Sequence, residues 1–422
     1  MTVPAAKPTV ALVGTLDTKG TEYRWVADQL EAHGVAVLVL DAGIHPPAGF
    51  TGPTIGQDDV AAAAGTSVET LRDGNDRGVA VTAMGEGAAA VLGPLAARGA
   101  VHGVLALGGS GGSSIAARAV RDLPVGLPKL LVSTMAAGDV SPYVGAADVT
   151  MMYSVVDISG INQLSRAILG NAAAGIAAMA AAYRERAAAP APPDRPLVAA
   201  SMFGVTTPAV DAGRARLEGL GYEVLVFHAT GSGGRALEGL ARSELLAGVL
   251  DLTTTELADD LVGGVLSAGP DRLTAAGAAG VPQVVSLGAL DMVNFGPRDT
   301  VPLAFADRLF FEHNPTVTLM RTTAAENAEL GLRLGRKLAS ATGPTVLVLP
   351  RGGVSALDAE GMAFHDPAAD AALFDAVLGA VAGSAVTVVD ADRHINDPEL
   401  AVAAADRLHE LIGARRHTTV GS

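Results

Sequence analysis

TVALVGTLDTKGTEYRWVADQLEAHGVAVLVLD, Thr9 to Asp41, decides how the chain is read. Its first six residues, Thr9 to Gly14, form a short apolar run ending in glycine. Such a run suits a strand buried on both faces of a parallel sheet. A helical pattern follows from about Thr21 to Glu31. Gly34 then breaks it, and Val35 to Asp41 is a second apolar run. Strand, helix, strand predicts a right-handed crossover unit.

Outward from this unit the pattern repeats. Gly78 to Arg98 reads as helical and leads into a strand at Gly103 to Gly109. A helix is expected near Ser113, a strand at Lys129 to Thr134, and a long helix from about Ile161 to Arg186. Four prolines then crowd Ala187 to Pro196, which favours an extended spacer. Beyond it the pattern restarts. Strands are expected at Leu197 to Gly204, Glu223 to Gly231, Ala247 to Asp251, Gln283 to Leu287, Thr345 to Leu349 and Ala385 to Val389. Helices are expected at Ala209 to Leu220, Thr323 to Leu338 and Pro398 to Ile412. The predicted fold class is α/β: two doubly wound, Rossmann-like domains over 1–190 and 195–422, with mostly parallel sheets facing a central cleft.

Composition agrees. Of 422 residues, 49% are hydrophobic and 17% charged, enough apolar surface for packed cores. The length itself predicts two or three domains. A net charge of -15 argues against nucleic acid as a partner, because phosphate binding there needs cationic surface. The absence of cysteine excludes disulfides, thiolate metal sites and thiol nucleophiles. The N-terminus lacks an apolar leader, and Ala167 to Tyr183 reads as a buried helix, so no membrane association and a cytoplasmic location are expected. The long helix after Met151 offers a flat apolar face, and a homodimer is the simplest assembly it predicts. Between them, Met151 to Arg166 is an apolar stretch dotted with Ser154, Asp157, Ser159, Asn162 and Arg166, which fits cleft-facing groups or a subunit contact.

The loops carry the chemistry. GGSGGSS, comprising Gly108, Gly109, Ser110, Gly111, Gly112, Ser113 and Ser114, follows a strand and opens a helix. Glycines let several N–H groups approach an anion, and the helix N-terminus adds positive potential. The other reading is a tight turn that needs glycine only for its backbone. GTLDTKG sits in the same position after the first strand. There Thr15, Thr18 and Lys19 suit phosphate or sugar hydroxyls, and Asp17 suits a ribose or a metal-bound water, unless the residues merely cap a helix. In the second half HATGSGGR repeats the arrangement. Gly231, Ser232, Gly233, Gly234 and Arg235, with Thr206 and Thr207, are the expected substrate-binding set, Arg235 being a two-point clamp for an anion. His228, Asp251, Asp291, Glu312, His313 and His394 are candidate acid–base groups, or ligands of a divalent metal such as Mg.

These same stretches resemble the UPF0261 family, bacterial relatives of the N-terminal domain of the tomato Tm-1 virus-resistance protein. The resemblance runs from about Thr9 to Ile412. It rests on GTLDTKGTE, LGGSGGSS, STMAAGDVSPYVG, MMYSVVDISGIN, MFGVTTP, VFHATGSGGRALE, DLTTTELAD, ALDMVNFGP, EHNPTVTLMRTT and HINDPE. It implies an ATP-binding module of two α/β subdomains, with ATP as the cofactor and a small molecule as the partner. Three functions are compatible with it: an ATP-dependent enzyme acting on a small anionic metabolite, a nucleotide sensor without turnover, and an ATP-independent hydrolase or isomerase.

Overall fold

A computed structural model describes residues 7–52, 54–189, 195–243 and 245–420. The chain divides into two compact units, Met1–Pro192 and Pro193–Ser422. Residues 190–194 of the expected proline spacer lie outside the described residues.

Unit 1 is built on strands β1 (Thr9–Gly14), β2 (Ala36–Asp41), β3 (Gly103–Gly108), β4 (Lys129–Ser133) and β5 (Val149–Tyr153). They pair in the order β2-β1-β3-β4-β5, all parallel. Its helices are α1 (Leu16–Ala32), α2 (Gln57–Ala63), α3 (Val68–Asp73), α4 (Arg77–Ala97), α5 (Ser110–Val120), α6 (Ser141–Val144) and α7 (Gln163–Ala188). The alternation of a strand sends neighbouring side chains to opposite faces. Ala11 and Val13 therefore join a core under α2, α4 and α5, while Val10 and Leu12 join one under α1 and α7. By length and composition α4 and α7 would pass as membrane spans, yet each buries one face against this sheet.

Two expectations shift here. The GGSGG stretch is not a loop before a helix at Ser113 but the first turn of α5, which begins at Ser110. Only the start of the polar-dotted segment is strand, the edge strand β5; Ser154, Asp157 and Ser159 lie in the connection after it, Asn162 caps α7 and Arg166 lies in its first turn.

Unit 2 contains β6 (Leu197–Met202), α8 (Thr207–Gly219), β7 (Glu223–His228), α9 (Ser232–Arg242), β8 (Leu246–Thr253), α10 (Glu256–Val262), α11 (Ala275–Ala278), β9 (Gln283–Gly288), β10 (Met292–Phe295), β11 (Phe310–Asn314), β12 (Val317–Arg321), α12 (Ala324–Ala339), β13 (Thr345–Pro350), α13 (Pro367–Val381), β14 (Thr387–Ala391) and α14 (Pro398–Val420). Its parallel sheet runs β14-β13-β9-β8-β6-β7. A three-stranded antiparallel sheet, β10-β12-β11, was not expected from the sequence. It forms a roof. Met292 and Leu319 from it pack with Phe203, Ala229, Ala289, Leu357 and Phe364, which lie at or beyond the carboxyl ends of β6, β7, β9 and β13. The edge where an α/β sheet ordinarily receives a ligand is thus filled by the chain itself.

Candidate functional site

In unit 1 the sheet order decides where a crevice opens. Leaving β1 the chain turns to one neighbour, β2, and later supplies the other, β3. The connections after β1 and β3 therefore run to opposite faces, α1 on one and α5 on the other. That divergence is the topological switch point of a doubly wound sheet. The β1–β3 pairing ends at Val13 and Ala106. Beyond it the Tyr23 hydroxyl bridges the two strands. It lies 2.6 Å from the Val13 carbonyl and 3.0 Å from the Leu107 carbonyl, and accepts the Leu107 N–H at 2.8 Å. Burial pushes this phenol well above its ordinary value, so it stays a donor. Gly14 makes the bridge possible, because a Cβ there would sit 1.9 Å from the hydroxyl. Tyr23→Phe strips these buried groups of their partner. A loss of about 1–3 kcal/mol is expected, read by urea unfolding; a loss under about 0.5 kcal/mol would remove the bridge from any structural role.

On the α5 side, Gly109 is the N-cap, and the Ser113 N–H closes the first turn onto its carbonyl at 2.9 Å. The N–H groups of Ser110, Gly111 and Gly112 have no acceptor among the described residues. Arg77, the first residue of α4, brings its guanidinium beside this turn. A Cβ on Gly111 would lie 3.2 Å from its terminal nitrogen. Arg77 makes no ion pair among the described residues. The serines are less available: Ser113 Oγ is 2.6 Å from Ser133 Oγ, and Ser114 Oγ donates to the Ser110 carbonyl at 2.9 Å.

On the α1 side the helix N-terminus is already answered. The Leu16 N–H donates to Asp41 Oδ1 at 3.1 Å. The Lys19 ammonium is held by the Ile158 carbonyl. Thr15 and Thr18 pair their hydroxyls at 2.8 Å. Asp17 Oδ2 accepts the Ile44 and His45 N–H groups at 3.1 and 3.0 Å, while its Oδ1 is buried without a partner. Lys19 is therefore an anchor for the segment after β5, aided by Glu22, whose carboxylate accepts the Gly160 N–H.

The Gly-rich loop of unit 2 holds an anion, but an internal one. Glu256 Oε1 accepts the Gly231 and Gly234 N–H groups at 2.7 and 3.0 Å. Arg235 spends one donor on the Ser267 carbonyl at 2.9 Å. Thr206 Oγ1 is buried 2.7 Å from Thr253 Oγ1, and Thr207 donates to the Phe203 carbonyl. Among the described residues, the N–H groups of Ser232 and Gly233 have no acceptor. The expected substrate clamp is thus largely consumed by the chain.

The acid–base candidates fall into separate settings. Asp251 is buried in a two-point pair with Arg272, at 2.6 and 2.7 Å. Asp291 is buried beneath the roof, accepting from Ser355 Oγ at 2.7 Å. Both nitrogens of His394 are occupied, Nδ1 by the Asn396 N–H at 3.0 Å and Nε2 by the Ser355 carbonyl at 2.9 Å. His228 is exposed and edge-on to Phe203. Glu312 and His313 are exposed on β11. Among the described residues no three His, Cys, Asp or Glu side chains come together as metal ligands would. Sequence reading missed Arg77 and Tyr23. One is an ordinary helix-start arginine and the other an ordinary core aromatic until the fold brings them to the switch point.

Two doubly wound units, one with unengaged N–H groups at its switch point among the described residues and one roofed over, define a two-domain Rossmann-like protein. The chain belongs to the UPF0261 family. Residues 8–185 match the model described as the N-terminal domain of the uncharacterised protein family UPF0261, and residues 195–412 match its C-terminal domain. A UPF0261 protein of Clostridium tetani is 50% identical over 94% of this chain and 98% of its own length. One from Rhizobium meliloti is 48% identical over 94% and 97%. The ToMV resistance protein Tm-1(GCR237) of Solanum lycopersicum is 39% identical, over 99% of this chain and 57% of that one.

Proposed function

We propose that unit 1 binds ATP at its switch point and that the protein is a cytoplasmic nucleotide-binding protein. The observation carrying this reading is the first turn of α5: three unpaired N–H groups with Arg77 alongside. A helix N-terminus favours negative charge, and a guanidinium fork matches phosphate geometry. The phosphates belong there rather than at α1, where Asp41 already answers the helix end and would repel them. Thr15 and Thr18 suit ribose hydroxyls. The unpartnered Asp17 Oδ1 suits a donor from the ligand or a water on a phosphate-bound Mg ion. ATP itself supplies the polyphosphate.

Calorimetry with ATP, ADP and AMP tests this. Affinity is expected to fall by about tenfold or more from ATP to AMP, because each lost phosphate removes charge-assisted bonds worth about 1.5–3 kcal/mol. Equal affinities, or none, would sink the reading. A specific observation favours nucleotide sensing over turnover: Asp251, Asp291 and His394 are all committed to internal partners. Native mass spectrometry finding ATP retained intact would support the sensor; ADP accumulation at one per chain per turnover would support an enzyme.

A further inference from the structure

The roof of unit 2 is pinned by a cluster whose charges do not balance. Arg321, at the end of β12, reaches down among three aspartates, two of which it meets through their carboxylates. Its Nη2 is 2.8 Å from Asp370 Oδ1 on α13 and 3.7 Å from Asp358 Oδ1 in the loop after β13. Its Nη1 lies 3.5 Å from the backbone carbonyl of Asp291, just ahead of β10. Its Nε donates to the Phe364 carbonyl at 2.7 Å. Asp291 and Asp358 are fully buried and Asp370 is 8% exposed. Two carboxylates thus contact one guanidinium, with the buried Asp291 side chain close enough to feel both Asp358 and Arg321, in an interior where an unpaired charge is costly.

Hydrogen bonding deepens the imbalance. Asp291 Oδ2 accepts from Ser355 and Asp358 Oδ2 from the Val354 N–H, but Oδ1 of each is buried with no donor. Asp291 therefore calls for a proton of its own, and Asp370, within side-chain hydrogen-bond reach of Asp358, can carry the proton that faces the Asp358 oxygen. If two of the three carry one, the cluster is neutral: one guanidinium against one carboxylate.

We propose that the three-stranded sheet is a proton-controlled lid, latched over the carboxyl edge of the unit 2 sheet by the Arg321 cluster while two of its aspartates are protonated. Release is a simple ionisation: each carboxylic acid gives its proton to solvent, and the cluster left behind carries two uncompensated negative charges. Opening relieves them by letting water reach the carboxylates, and it uncovers Phe203, Val205 and Ala229 at the crevice beneath.

The neighbouring charges do not neutralise the cluster. Arg308 donates to the Arg321 carbonyl but is paired with Glu326. Arg351 is paired with Asp390, and His394 is engaged by the Ser355 carbonyl and the Asn396 N–H. Asp259, at the far end of β10, accepts from the Asn294 N–H and amide at 3.0 and 2.7 Å, a second pin on the same sheet. Burial, reinforced by Asp358, raises Asp291 and Asp370 to about 7; burial also raises Asp259 to about 7. The sign follows. The folded, latched form binds protons that an open form releases, so latching is complete below the ordinary carboxylate range. It weakens as pH rises toward about 7 and is level above it.

Hydrogen–deuterium exchange on the intact chain tests the lid, with peptides over β10 and β12 read against β3 of unit 1 to cancel the intrinsic pH effect. Between about pH 5 and about pH 8, protection of the lid relative to β3 is expected to fall by about tenfold or more, a pKa unit being tenfold. In Asp291→Asn/Asp370→Asn, where neutral amides replace the acids, that pH dependence should shrink markedly over β12, leaving over β10 only the part that Asp259 contributes. Unchanged relative protection in the wild type, or an undiminished pH dependence in a folded double variant, overturns the proposal. Infrared spectroscopy of the wild-type protein needs no variant. At about pH 6, where ordinary carboxylates are ionised, a protonated-carboxyl band should persist and disappear by about pH 8; its absence at about pH 6 also overturns the proposal.

Discussion

Arg272→Met is expected to destabilise unit 2 by about 3–5 kcal/mol, the range for breaking one side of a buried ion cluster. Arg272 is fully buried. It bonds Asp251 at two points, Glu256 through Nε at 2.6 Å, and approaches Glu238 at 3.4 Å. Burial works against its charge, but the three carboxylates outweigh that and hold the guanidinium well above its ordinary range. Without it three buried carboxylates face each other. They are also not idle: Glu256 fixes the Gly231 and Gly234 N–H groups, and Glu238 accepts those of Leu273, Thr274 and Ala275. The Gly-rich loop and the start of α11 should loosen together. Arg272→Lys keeps a charge but not the fork, so it should recover only part of the loss. Trp25, the single tryptophan, sits in unit 1. Its fluorescence on urea unfolding therefore reports the undamaged unit, and far-UV circular dichroism carries the unit 2 transition. A loss under about 1 kcal/mol would mean that the hub is dispensable.

That cluster marks where reading the sequence stops. Val10 to Val13 and Leu105 to Leu107 were legible as strands because a continuous apolar run points to both faces of a buried sheet whatever its neighbours. MVNF and VTLMR were not. Each is only four or five residues long, and Asn294, Thr318 and Arg321 inside them look like loop chemistry until the roof buries them. The two Gly-rich loops differ for a similar reason. Both open a helix after a strand. One N-terminus is answered by Glu256, which is far away in sequence; the other is left open beside Arg77. Local pattern reports that a helix end wants an anion, not whether the chain has already provided one. Lys19 illustrates the same limit: its type and position fit a phosphate ligand, but the fold assigns it to the Ile158 carbonyl.

The open end of α5 yields the second large effect: Gly111→Val should weaken ATP binding by about 1.5–3 kcal/mol, roughly tenfold to a hundredfold or slightly more, at little cost in stability. The added side chain meets nothing rigid. Its Cβ would lie 3.2 Å from the Arg77 terminal nitrogen and 3.8 Å from Val81 Cγ2. The tip of an arginine swings aside easily, and replacing a helical glycine restrains the unfolded chain, which offsets any small strain. Displacing the guanidinium, however, removes its fork from the place where phosphate would sit, and the new methyl groups crowd the unpaired N–H groups of the turn. Arg77→Ala removes the same fork by a different route. The two changes should therefore be strongly non-additive, the double variant binding little worse than either single one. Arg77→Lys should fall between wild type and Arg77→Ala, retaining charge without the two-point geometry. Calorimetry for affinity and urea unfolding for stability separate the outcomes. If a folded Gly111→Val protein binds ATP with wild-type affinity, the glycines serve only the turn at Gly108, where a Cβ would strike the Gly112 backbone at 2.8 Å, and the nucleotide must be sought elsewhere in the protein.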